Sequence, residues 1–221
     1  EGNSKERERS ASLGLIASKV LLEGPLKKKE GSYLLSGRFG YPGVVAGLLG
    51  SNLTSKPQMW FYDVNAKVNR TLDARNRMFF SLYSGGDHTV FNKLVKGYGM
   101  DWGNATATIR WNHILNDKTN VNTSAVFSNY YYKYKSLSDG LRYVWKSNMQ
   151  SYQLKSDWER YQNNLLTLKG GVNLHYFTTM PGEVGKSGKD SNITPSQMPR
   201  KSLWDAALYA EANYKFLPHF L

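Results

Sequence analysis

Residues 203–216 read LWDAALYAEANYKF, and this stretch is the best guide to the fold of the chain. Its side chains alternate with the period of two that a β-strand has and an α-helix lacks. Trp204 and Tyr214 stand ten residues apart on one side, with alanine and leucine between them. At about 3.3 Å per residue and a tilt of about 40°, that length projects to about 25 Å, the height of the lipid-facing band of a membrane β-barrel.

The same period recurs along the chain and predicts an all-β protein. Between residues 102 and 113, Ala107, Ile109 and Trp111 share one side, whereas the other side carries asparagine, threonine and Arg110. Most of the predicted strands are longer than the usual length of about five or six residues. The nine predicted strands cover residues 10–23, 32–41, 58–70, 77–86, 101–114, 120–134, 148–160, 165–178 and 203–216.

Short and long connections alternate between these strands. Polar turns are expected at 27–30, 72–76, 116–118 and 161–164, and longer loops at 42–57, 87–100, 135–147 and 179–202. An antiparallel up-and-down meander would then have all its long loops at one end, as outer-membrane barrels do. A β-propeller has a similar repeat of about 40–45 residues, but it needs four short strands in each repeat and the sequence predicts two long ones.

Composition excludes several other classes. The 221 residues carry a formal charge of +12 and include no cysteine, so disulfide frameworks, thiolate metal sites and cysteine nucleophiles are ruled out. Aromatic residues make up 14% of the chain, which separates it from disordered basic tails. No apolar run approaches the length of about 18 residues that predicts a transmembrane helix. Residues 1–9 (EGNSKERER) are charged throughout and do not resemble a secretion signal.

The hairpin predicted at residues 13–41 carries a more specific pattern. Its first strand ends in Glu23-Gly24-Pro25, its turn is Lys27-Lys28-Lys29, and its second strand reads SYLLSGRFGY over residues 32–41. This arrangement resembles the first barrel hairpin of TonB-dependent outer-membrane receptors of the Bacteroidetes type. In that group, EGP and a Lys-rich turn often precede a strand of the type S-[YF]-x-x-S-x-R-x-x-Y. Glu1-Gly2-Asn3 resembles the end of the plug domain of such receptors, and the rest of the chain is similar only in strand rhythm.

The resemblance implies a fold, a location and a function. Residues 1–9 would be the end of the plug or its linker, and residues 10–221 would be part of a transmembrane barrel of about 22 strands. The intact protein would lie in the bacterial outer membrane and import a bulky solute of the siderophore, cobalamin or glycan class. Its partners would be outer-membrane lipid, the cargo and the TonB complex, which acts through a plug segment outside this chain; a surface lipoprotein is left open. Neither catalysis nor a cofactor is expected, because transport leaves the solute unchanged.

The residues themselves assign no catalytic, cofactor or metal site. The histidines lack metal-ligand spacing; they are His88, His113, His175 and His219. Among them, His175 falls on the predicted interior side of its strand. Gly185-Lys186-Ser187 resembles the end of a phosphate-binding loop, but Met180 stands where the first glycine is required. Five carboxylates can face a common interior without any pair of defined spacing: Asp63, Asp157, Glu159, Asp205 and Glu211.

The predicted positions of basic and aromatic residues do not identify the cargo. Lys67, Arg110 and Lys169 fall on the predicted interior side, where they suit either an anionic cargo or acidic residues of a plug. The loop at 135–147 contains Tyr143 and Trp145, two aromatics that are placed to touch a ligand. No ligand-binding residue is assigned on this basis.

Two other classes of protein are alternatives to the membrane barrel. A soluble β-sandwich or lectin-like module has the same alternation, with the apolar side packed in a dry core. A basic single-stranded nucleic-acid binder would use residues 130–135 (YYYKYK), in which tyrosines and lysines interleave. Strand length and loop asymmetry favour the barrel, so no nucleic-acid partner is expected.

Overall fold

The computed structural model describes residues 1–26, 30–49, 58–92, 97–138, 142–188 and 191–216. In chain order the elements are β1 Glu8–Leu13, β2 Ala17–Pro25, β3 Gly31–Gly40, α1 Pro42–Leu49, β4 Gln58–Thr71, β5 Asn76–Asn92, β6 Gly97–Asn116, β7 Thr119–Ser136, β8 Tyr143–Tyr161, β9 Leu166–Lys186, β10 Ser196–Gln197 and β11 Lys201–Tyr214. All strands belong to one antiparallel sheet in which neighbours along the chain pair from β1 to β9. Both β10 and β11 then pair with β9. The predicted all-β up-and-down meander is confirmed.

The sheet is open in the part of the chain that the structure describes. There, β1 pairs only with β2, and β11 pairs only with β9. The one helix of the described ranges, α1, begins at Pro42, whose fixed φ suits the first helical position. No helix within the described ranges is both long and apolar enough to cross a membrane.

Tight turns join the strands at one end of the sheet, which is called the turn end below. The backbone N–H of Leu72 donates to the carbonyl of Asn76 at 2.8 Å, and that of Gln162 donates to Leu166 at 3.0 Å. Side-chain oxygens of Asp73, Asn116 and Asn163 accept backbone N–H groups within these turns, as aspartate and asparagine commonly do. The short turns predicted at 72–76, 116–118 and 161–164 are therefore confirmed, and Lys27-Lys28-Lys29 lies outside the described residues.

The strand predicted at 10–23 is wrong, because two strands occupy this region. β1 and β2 form a hairpin in which Leu13 pairs with Ser18 and Glu8 with Glu23. The N–H of Gly14 donates to the carbonyl of Ala17 at 3.0 Å and closes the turn between them. The run Leu13-Gly14-Leu15-Ile16 has no alternation, and a glycine there permits the reversal. The described residues form eleven strands where nine were predicted, partly through this hairpin and partly through the short β10.

Three of the four predicted long loops are in large part strand, which is a second correction. β5 to β9 are 17, 20, 18, 19 and 21 residues long and extend well into the ranges predicted as loops. Of the range 42–57, residues 42–49 form α1. Alternation of apolar and polar residues reveals a strand only where one face is apolar. Beyond the apolar part of each strand the backbone pairing continues, but the side chains of the strand no longer alternate between apolar and polar.

The two faces of the sheet differ in burial. Large apolar side chains are exposed on one face, whereas polar side chains are buried on the other, which is the reverse of the arrangement in most globular proteins. Residues directly opposite in an antiparallel pair share a face, so the register defines each face. One side, called the apolar face, carries Val20, Leu35, Val64, Val68, Phe80, Leu82, Ala107, Ile109, Ala125, Phe127, Leu154, Val172, Leu174 and Leu208. Its large side chains are exposed, with Phe80 at 40%, Leu154 at 50% and Leu208 at 82%. The opposite side, called the polar face, holds the buried Ser32 and Asn69.

No second sheet packs on the apolar face among the described residues, because all of their strands belong to one sheet. Phe79 is the one large apolar side chain that they bury, and it lies on the polar face opposite Arg110. A β-sandwich would bury the apolar faces of two sheets against each other. The sandwich alternative is therefore inconsistent with the structure.

Candidate functional site

The polar face divides into two halves of different chemistry, and it is the candidate site. The half near the turns carries most of its charged side chains, as described below. The other half, at the loop end, lies where β5 to β8 extend past the apolar band. There the polar-face positions of β6, β7 and β8 carry no charged residue; they are Tyr98, Met100, Trp102, Tyr130, Tyr132, Tyr134, Ser136, Tyr143, Trp145, Ser147 and Met149.

A row of four rings crosses four strands at the loop end, and we call it the aromatic row. Phe91 of β5 lies 5.1 Å from Tyr98 of β6, measured between ring centroids. Tyr98 lies 6.5 Å from Tyr134 of β7, and Tyr134 lies 6.0 Å from Tyr143 of β8. Partial burial, reinforced by Tyr143, raises the pKa of Tyr134. Its phenol therefore remains an O–H donor at neutral pH.

The turn-end half surrounds a cavity of about 440 Å³. Its lining includes Lys67, Phe79, Arg110 and Lys155, which the alternation of β4, β5, β6 and β8 places on the polar face. Phe79 lies beneath two guanidinium groups, with the Cζ atom of Arg110 at 4.2 Å and that of Arg77 at 4.9 Å from the ring centroid. Cation–π attraction at such distances holds both groups against the ring.

Glu1, the first residue of the chain, also lines this cavity. Its carboxylate lies 3.1 Å from Nη2 of Arg77, and the N–H of Asn3 donates to Oε2 of Glu23 at 2.9 Å. Gly2 lies so close to β3 that an added Cβ would be 2.2 Å from the carbonyl oxygen of Tyr33. Only glycine tolerates that approach, so the segment that resembles the end of a plug lies against the polar face.

The three cations predicted to face an interior all lie on the polar face. Lys67 and Arg110 line the cavity, and Lys169 lies on the same face with its Nζ atom 3.1 Å from Glu159. All five carboxylates predicted to share an interior lie on the polar face. Most have partners there: Asp63 pairs with Arg38 at 2.7 Å and Asp157 with Lys155 at 3.0 Å.

The histidines do not converge on a metal site. His88 bonds to Asp101 on the apolar-face side, and His113 contacts Asn76 at 2.8 Å between Nδ1 and Oδ1. His175 lies on the polar face, as predicted, with its ring 3.6 Å from that of Phe177, and His219 lies outside the described residues. The described ranges contain no group of three metal-ligating side chains. Gly185 and Lys186 end a long strand, β9, and no helix follows them there, so a phosphate-binding loop is not formed.

The pleat of β7 separates three of the four tyrosines of residues 130–135 from the two lysines. Tyr130, Tyr132 and Tyr134 lie on the polar face, whereas Lys133 and Lys135 lie on the opposite side. Stacking rings and phosphate-binding cations on one surface are the basis of single-strand binding. Three of the four rings of this segment lie on the face without the cations, and Tyr131 alone of the four shares the face of Lys133 and Lys135.

The sequence did not reveal Phe91 and Tyr98 as part of a site, because both fell in a predicted loop. Tyr143, an aromatic of the predicted loop at 135–147, lies in the same aromatic row through its contact with Tyr134. The period-two spacing of Tyr130, Tyr132 and Tyr134 is the one signal that places several rings on one face of a strand.

No protein-family model and no curated protein matches the chain. Among solved structures, BauA, the ferric preacinetobactin receptor from Acinetobacter baumannii, matches with a TM-score of 0.69. The match covers 98% of this chain and 40% of that receptor, at 11% sequence identity. The chain has the fold of part of that receptor. It spans about two fifths of the receptor's length, and at such low identity the likeness concerns the fold alone.

Proposed function

We propose that the chain forms part of the barrel wall of an outer-membrane receptor that imports a bulky solute. The exposed apolar face is the observation that carries this proposal, since large apolar surfaces on water-soluble proteins are normally covered. Hydrocarbon is the solvent in which such a face is stable, and the polar face would then line the interior. The fold shared with a ferric preacinetobactin receptor supports the same assignment.

The dimensions of the apolar face fit a bilayer. Its tryptophans stand at two levels: Trp60 and Trp204 toward the loop end, and Trp111 and Trp158 toward the turn end. Indole rings favour the interface between hydrocarbon and water, where outer-membrane barrels have aromatic girdles. Ten residues separate Trp204 from Tyr214 on β11, which corresponds to about 25 Å across a tilted barrel wall.

The solute would bind on the loop-end half of the polar face. The aromatic row offers ring faces and phenol O–H groups, and Trp102 of β6 and Trp145 of β8 lie on the same face beside it. Siderophore, cobalamin and glycan cargoes all have flat or ring-shaped parts, and a siderophore agrees with the cargo of the structural neighbour. Energy would come from a TonB complex acting through a segment outside this chain, and no residue acts in catalysis. The Bacteroidetes type rests on the hairpin pattern at 13–41 alone.

Lipid quenching of tryptophan fluorescence tests the proposal. Six variants, each retaining one tryptophan with the other five changed to phenylalanine, are refolded into vesicles with brominated acyl chains. We expect strong quenching for Trp60, Trp111, Trp158 and Trp204, which lie on the apolar face. Trp102 and Trp145 lie on the polar face and serve as matched controls with little quenching. Equal quenching of all six, or of none, would contradict a membrane-facing apolar surface.

A further inference from the structure

The cavity at the turn end holds more positive charge than its carboxylates balance. Lys67, Arg110 and Lys155 line it, whereas Glu1 is the one carboxylate among the described residues that line it. Lys155 lies 3.0 Å from Asp157, so its charge is compensated. No described carboxylate lies within ion-pair distance of Lys67 or Arg110.

Arg110, which lines the cavity, and Arg77, which lies beside it on the ring of Phe79, are both held in place. The guanidinium groups of Arg77 and Arg110 pack on the buried ring of Phe79, and that of Arg77 also donates to Oδ1 of Asn69 at 2.9 Å. Asn69 is itself fixed, since its amide donates to Oγ of Ser32 at 2.6 Å. Guanidinium groups fixed in this way lose little side-chain entropy when they bind an anion.

Glu1 shows what kind of group the cavity accepts. Its carboxylate reaches Arg77 from a segment that lies against the polar face. The Nε–H of Arg77 is buried and has no partner among the described residues. An N–H donor left buried without an acceptor is costly, so donor capacity beyond that used by Glu1 is available. Carboxylates match the planar fork of arginine.

We infer that this cavity is a carboxylate-binding site in which Lys67 and Arg110 bind a second carboxylate beside Glu1. The carboxylate comes either from an acidic side chain of a polypeptide segment or from a free organic acid, because both present the same group. The site is separate from the aromatic row, which lies at the other end of the polar face. The inference of a carboxylate site does not depend on whether the protein lies in a membrane.

Calorimetric titration of the folded chain in detergent micelles at low salt tests the site with two probes. One probe is succinate, and the other is the blocked peptide acetyl-Gly-Glu-Gly-amide. We expect at least one to bind, and the double variant K67M/R110M to lose about a hundredfold in affinity, roughly tenfold for each cation removed. Binding of the peptide alone identifies a polypeptide source, and binding of succinate alone identifies a free acid. Binding of both supports the shared carboxylate chemistry.

Two further variants distinguish loss of the binding site from misfolding of the protein. K169M removes a cation from the same face, but its partner is Glu159 outside the cavity, so affinity should stay at the wild-type value. Arg110→Lys keeps the charge and loses the planar fork, so its affinity should fall between those of the wild type and the double variant. Failure of both probes to bind the wild type, or wild-type affinity in K67M/R110M, would overturn the inference. Neither result would affect tryptophan quenching by lipid, which tests the proposed function.

Discussion

Asp73 illustrates how one side chain closes a turn of this sheet. Its carboxylate accepts the backbone N–H of Arg75 at 2.7 Å and the side-chain amide of Asn76 at 2.9 and 2.8 Å. These hydrogen bonds, that of Arg75 first, lower the pKa of Asp73 below its ordinary value of 3.8. A carboxyl group with a lowered pKa stabilises the folded state above its unfolded pKa, and this contribution is lost as the pH falls through the lowered value.

Replacing Asp73 by alanine should therefore destabilise the protein in a pH-dependent manner. We expect a lower urea midpoint for Asp73→Ala than for the wild type near neutral pH, because the turn loses three hydrogen bonds. The difference should shrink as the pH falls below 3.8, since the wild-type carboxylate then becomes protonated. Asp117→Ala, in the turn between β6 and β7, is the matched control and should have little effect. A difference that grows on acidification would contradict this account.

At the scale of the element, β6 allows the two faces to be compared within one strand. Ala107 lies on the apolar face midway along the band, opposite Leu82 and Phe127. Its neighbour Thr106 lies on the polar face, opposite Tyr83 and Ser128. The two positions share strand, depth and pairing, so they differ mainly in the medium that they face.

Arginine at these two positions should have unequal effects. In lipid, Ala107→Arg should lower the free energy of unfolding by about 2–4 kcal/mol, the usual cost of arginine at the bilayer midplane of a barrel. Thr106→Arg should cost much less, because its side chain lies on the polar face. Urea unfolding in vesicles measures both values. Equal costs for the two variants would show that the apolar face does not contact hydrocarbon.

Much of the sheet could be predicted because strands with one apolar and one polar face leave a simple pattern. The stretch with Trp204 and Tyr214 lies as predicted, with both side chains on the apolar face opposite Tyr176 and Leu166. The reversal at Gly14 was missed, because a glycine within a strand-like run indicates a turn, a bulge or nothing at all. The site depends on contacts between strands. Nothing in the local sequence shows that Arg77 and Arg110 share the ring of Phe79, since they lie 33 positions apart.

At the scale of the whole molecule, the paired strands are taller than the membrane that we propose for them. Strands of 17–21 residues cover about 50 Å when tilted, whereas the apolar band covers about 25 Å. The excess lies at the loop end, where Tyr98 still pairs with Ser136 and Tyr143 with Lys186. Backbone pairing therefore continues through the region that contains the aromatic row.

Limited proteolysis with trypsin should detect this paired region. Lys133, Lys135 and Lys146 lie within paired strands at the loop end, so cleavage after them requires local opening. Arg200 is exposed and lies between β10 and β11, outside any strand. We expect mass spectrometry to find cleavage after Arg200 well before cleavage after the three lysines. Early cleavage at Lys133 or Lys135 would contradict a paired loop end.

The tall strands bear on how a solute would be captured. Because the loop end consists of hydrogen-bonded strands, it is stiff, and the rings of the aromatic row keep their positions before a ligand binds. Because these side chains are already ordered, the protein would lose little conformational entropy when the solute binds. The residence time of the solute would then depend on its contacts with the rings, and not on loops closing over it. A change of cargo would then require substitutions on the polar face of β5 to β8 at the loop end. Exchanging the segments that connect these strands would not be enough.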